Sequence, residues 1–67
     1  MKVKSTDQQK TLFNVTIENS SYKTWATSEE KAVSNVCFRY SEDEDEEVAL
    51  VKWKVKQGQL TVSVEEL

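Results

Sequence analysis

Six consecutive carboxylates, Glu42 to Glu47, form the densest concentration of reactive groups in this chain. Side chains of this type can ligate a cation, work in pairs as general acid and base, or attract a basic surface. A calcium loop needs a glycine at its sharp turn and a regular Asp-x-Asp-x-Asp-Gly order. The run has neither, so an EF-hand is excluded and any divalent binding would be weak and unspecific. Acid–base hydrolysis by a carboxylate pair needs a cleft deep enough to hold a sugar, which a small sheet with one helix does not offer. The remaining use is a negative patch. Like charges at this spacing repel one another, so local electrostatics works against the fold whether they crowd a helix C-terminus or continue the helix. Such departures from local consistency are where function tends to be found.

Other catalytic equipment is missing. The chain has no histidine, which removes the commonest general base. Its serines have no base at a recognisable spacing, and no glycine-rich loop is present to cradle phosphate. Cys37 is the sole cysteine, so neither an internal disulfide nor a thiolate zinc site can form. It lies on an apolar helical stripe with nothing basic one turn away, the pattern of a small core residue rather than a nucleophile. The expectation is a protein that is not an enzyme and takes no metal or cofactor.

Lysines make a second surface. Lys52, Lys54 and Lys56 alternate with Val51, Trp53 and Val55, and a strand would project all three lysines to one side. The first hairpin would add Lys23 and Trp25 to that sheet face. Lysines interleaved with an aromatic suit single-stranded nucleic acid. The plain alternative is a lysine-guarded sheet that resists edge-to-edge association. With a net charge of −3 and six carboxylates nearby, direct nucleic-acid binding is the weaker expectation.

The elements that must hold these groups follow from periodicity. Phe13, Val15 and Ile17 alternate with Asn14, Thr16 and Glu18, the period of a half-buried strand. A turn at Asn19-Ser20 would return Tyr22 to Ala26 antiparallel, with Ile17 opposite Tyr22 and Val15 opposite Thr24. Thr27-Ser28-Glu29-Glu30 has the form of a capping box with Thr27 as the cap. Beyond it Ala32, Val33, Val36, Cys37 and Tyr40 share one stripe of a helix, and Phe38 falls on the opposite side. Val51 to Lys56 and Leu60 to Glu65 read as two more strands joined at Gln57-Gly58. The fold class expected is α+β, a single small domain of order ββαββ, with one helix on a four-stranded, mainly antiparallel sheet.

Length limits what this domain can do alone. Residues 1–10 are polar and irregular and read as a flexible leader, leaving 11–67 as the domain. A chain of 67 residues buries only roughly 60% of its unfolded surface. Without a disulfide or metal, regular packing or self-association must supply the rest, which favours a homodimer with Phe38 and Trp25 as contacts. The opening MKVKSTDQQK lacks the apolar core of a secretory signal, and no stretch approaches the ~18 apolar residues of a membrane span. A lone thiol fits a reducing compartment, so a cytoplasmic protein without membrane contact is expected.

Half of the twelve acids lie in the 42–47 run, so the rest of the chain, with nine basic residues, is mildly positive. This segregation points to a protein-binding module that turns its acidic patch towards a basic surface. In its sharpest form the patch acts as a nucleic-acid mimic that blocks another protein's nucleic-acid groove. In size and charge the chain is similar to small phage or mobile-element inhibitors of host nucleases. The alternatives are a regulatory nucleic-acid-binding dimer using Lys23, Lys52, Lys54 and Lys56, and a structural subunit docked through exposed aromatics.

Overall fold

A computed structural model describes residues 9–67. The polar leader expected over residues 1–10 therefore falls almost wholly outside the described residues. Strands β1 (Thr11–Ile17) and β2 (Ser20–Ala26) form an antiparallel hairpin. Two helices follow, α1 (Glu29–Glu44) and α2 (Val48–Lys56), and then strand β3 (Val62–Glu66). β3 pairs antiparallel with the free side of β1, so the sheet order is β2-β1-β3. The protein is α+β, with three antiparallel strands and two helices, rather than the expected ββαββ with four strands and one helix.

The discrepancy lies in one segment. Val51 to Lys56, expected as a strand, belongs to α2. Alternation of valine with lysine satisfies a strand template, yet Val48, Val51 and Val55 also satisfy the i, i+3, i+7 spacing of a helix. Val51 is fully buried, Val48 and Val55 are half-buried against the same core, and Trp53 faces outward. Gly58 closes this helix instead of turning a hairpin. It takes φ +77, its N–H donates to Val55 O at 3.1 Å, and Gln59 N–H donates to Lys54 O at 2.8 Å. These two bonds are the Schellman pair that satisfies a helix's last carbonyls.

α1 ends the same way on a less suited residue. Asp45 adopts the left-handed region at φ 56, while Asp45 N–H donates to Glu42 O and Glu46 N–H donates to Ser41 O at 2.9 Å. At the other end the cap is Ser28, not Thr27. Ser28 Oγ accepts from Lys31 N–H at 3.2 Å, so the position that would close a capping box holds a lysine.

The hairpin register also differs. Ile17 lies opposite Ser20 and Val15 opposite Tyr22, with the turn at Glu18-Asn19. A slip of two residues preserves which side each residue faces. Phe13, Val15, Ile17 and Ala26 therefore still point to the core, and Lys23 and Trp25 still point away. Glu18 carries the positive φ of 56 that asparagine would have tolerated more easily. Two bonds hold it there. Glu18 N–H donates to Thr61 O at 2.8 Å, and Thr61 N–H donates to the Glu18 carboxylate at 2.6 Å.

Both helices cover the same sheet face. α1 lies over β2 and β1 and places Ala32, Val36, Cys37 and Tyr40 in the core, while α2 packs beside it and adds Val51. The other sheet face stays open. No helix of the described residues is long and apolar enough to cross a membrane.

Candidate protein-binding surfaces

The acidic run is divided between the last turn of α1 and the short connection to α2. All six of its residues are exposed, but they are not equivalent. Asp43 accepts a hydrogen bond from the Tyr22 hydroxyl. Arg39, one turn earlier on α1, stands 5.2 Å from the centre of the Tyr22 ring. Its guanidinium donates to Lys23 O at 2.8 Å. Asp43 thus helps clamp the end of α1 to β2, a structural task. The bond to the Asp43 carboxylate, with burial second, raises the Tyr22 pKa above its ordinary value of 10.0.

Glu46 pairs with Lys54 at 3.3 Å. Both groups are partly exposed, and such pairs contribute only ~0.2–1 kcal/mol. Glu42, Glu44, Asp45 and Glu47 have no cationic partner among the described residues. No basic residue occupies the last turn of α1. Four carboxylates therefore gather at the negative end of a helix dipole with one lysine reaching back to their neighbour, an arrangement that costs the fold energy.

The lysines expected on one sheet face are dispersed. Lys23 lies on the open face of the sheet, whereas Lys52, Lys54 and Lys56 lie on α2 in the opposite layer. On a helix Lys52 and Lys56 are neighbours and Lys54 projects to the other flank. Lys52 sits 4.8 Å over the Phe38 ring. Phe38 itself is 53% exposed. Trp25 is 60% exposed beside Leu12, but on the open sheet face. Phe38 and Trp25 cannot belong to one contact surface. Lysine and tryptophan side chains do meet on α2, where Trp53 is 50% exposed between Ala49 and Lys56.

Between the helices runs a shallow groove of about 180 Å³, floored by Val33, Cys37 and Val55 and rimmed by Glu30, Lys52 and Lys56. Burial pushes the Cys37 thiol up from its ordinary value of 9.0, against a smaller opposing pull from the Lys52 charge. That is the environment of an inert core thiol. The described residues contain no cluster of three or more potential metal ligands.

Set against family models, curated proteins and solved structures, the chain matches none. Its surfaces must therefore be judged by their own chemistry. Sequence reasoning missed the outer face of α2, formed by Ala49, Leu50, Trp53 and Lys56. The signal was the spacing of its buried counterpart, Val48, Val51 and Val55, together with a glycine just beyond lysines, which marks a helix end.

Proposed function

We propose that the protein is a non-catalytic binding module that presents the acidic end of α1 to a basic protein surface. One observation supports this most directly. Glu42, Glu44, Asp45 and Glu47 stand exposed and without cationic partners at a helix C-terminus, while Asp43 and Glu46 are occupied within the fold. Carboxylates grouped this closely suit the lysines and arginines of a nucleic-acid groove, which respond mainly to charge. In that role the module competes with nucleic acid for its partner. The lysine-based reading has lost its shared face and is not carried further.

The test replaces Glu42→Gln, Glu44→Gln and Asp45→Asn together. Asparagine suits the left-handed backbone at position 45, and Asp43 and Glu46 keep their structural contacts. Tagged wild type and the triple variant are used as baits in extracts of cells that encode the protein. The wild type is expected to capture a Lys/Arg-rich protein that added duplex DNA displaces, and the variant to release it at low salt. Equal capture by both baits overturns the proposal.

A further inference from the structure

The outer face of α2 has a polarity that the acidic-end reading leaves unused. Seen down the helix, Val48, Val51 and Val55 point inward, so Ala49, Leu50, Trp53 and Lys56 point outward. Leu50 and Trp53 are 42% and 50% exposed on this short helix. Large exposed apolar side chains side by side on a small domain mark an interaction surface. The helix opens on Glu46 and Glu47 and ends on Lys54 and Lys56. Its exposed side is negative at one end, apolar in the middle and positive at the other.

A surface of that kind is complementary to itself when reversed. We propose that α2 is a homodimer contact, packing antiparallel against α2 of a second copy about a two-fold axis. In an antiparallel pair, residues face one another when their numbers have a constant sum. The register that sets Leu50 against Trp53 of the second copy therefore also sets Glu47 against its Lys56. Apolar and ionic matches fall in one alignment, and the two-fold repeats each of them. A parallel pair would instead bring Lys56 to Lys56 and Glu47 to Glu47. Glu47 makes no side-chain capping bond and is available for the contact. A nucleic acid is a poorer occupant, because the same face begins with carboxylates. Glu42 and Glu44 lie on α1 and take no part in this register, so the dimer stands or falls independently of the proposed function.

The test uses the full chain. Sedimentation equilibrium measures its mass from micromolar to millimolar concentration, at low and at high salt. A Trp25→Phe background leaves Trp53 as the sole fluorophore. A dimeric mass is expected, with Trp53 emission moving to the red on dilution. Trp53→Lys is expected to be monomeric with an unchanged circular dichroism spectrum, since Trp53 is not a core residue. Lys56→Glu is expected to weaken the dimer about tenfold or more, and adding Glu47→Lys to recover most of that loss. The charge-swap pair keeps the test decisive should Trp53→Lys fail to fold. A monomer at millimolar concentration overturns the proposal, as does a dimer unaffected by Trp53→Lys or Lys56→Glu. Binding of a single-stranded oligonucleotide to α2 of a monomer, abolished by Lys56→Glu, would assign the face to nucleic acid and also overturn it.

Discussion

Val51→Ala discriminates most sharply between this fold and the four-stranded sheet that the sequence suggests. Val51 is the only fully buried residue of α2 and touches both helices' shared core. The substitution removes two methyl-sized groups, about 1.6 kcal/mol at ~0.8 kcal/mol for each buried carbon. The unfilled space left behind adds to that figure, because cores relax only partly. Alanine's better helix propensity returns roughly 0.5 kcal/mol. The net loss is therefore about 2 kcal/mol. A domain this small rarely holds more than ~3–5 kcal/mol, so the variant should be close to half its normal stability. With a urea slope near 1 kcal/mol/M for this size, the midpoint should fall by roughly 2 M. Trp53→Ala is the control. In a strand, Val51 and Trp53 would share the buried face and both would be costly. On α2 Trp53 faces outward, so its truncation should stay within about 0.5 kcal/mol at protein concentrations too low for self-association. Equal losses for the two variants, or none for Val51→Ala, would refute the helical placement.

Other perturbations address the contacts that hold the layers together. Tyr22→Phe removes the hydroxyl bonded to Asp43 and should cost about 0.5–1.5 kcal/mol in a urea melt. Because the native Tyr22 pKa is raised, the neutral phenol favours the folded state. That contribution is full below the unfolded value of 10.0 and is lost as pH rises through the native one. Alkaline unfolding followed by phenolate absorbance should therefore begin earlier in the phenylalanine-free wild-type clamp than in Tyr22→Phe. Asn35 Nδ2 donates to Trp25 O at 3.4 Å and Arg39 to Lys23 O at 2.8 Å, covering outward carbonyls of β2. Asn35→Ala with Arg39→Ala should leave that edge bare and raise aggregation, measured by light scattering during incubation. Cys37 should react with a thiol reagent only as fast as the protein unfolds, and a native-state reaction at the rate of a free thiol would contradict its burial.

Much of this architecture is legible in the sequence, and the failures share a cause. β1, the body of α1 and the outward positions of Phe38 and Trp25 follow from strict periodicity, which burial of one face enforces. α2 does not, because six residues of alternating valine and lysine fit two templates. Only tertiary packing decides, placing Val51 beneath α1 while Trp53 remains outside. Hairpin register escaped for a similar reason. A shift of two residues leaves the apolar side unchanged, and the choice was made by Glu18 bonding to Thr61, far away along the chain. The acidic patch was visible as a run, but the separate employment of Asp43 and Glu46 depends on Tyr22 and Lys54, whose approach no local pattern announces.

Placing β1 in the middle of the sheet has a consequence for how the molecule is assembled. The first hairpin can zip from its own turn, drawing on neighbours that arrive together. The opposite flank of β1 must wait until two helices have been threaded over it and the last strand has returned. During that interval a half-finished sheet exposes Val15 and Ile17 backbone groups to any stray chain. Ring closure over so long an arc is slow compared with hairpin formation. Glu18, gripping Thr61 at the mouth of the returning strand, is well placed to act as the latch that ends this vulnerable stage.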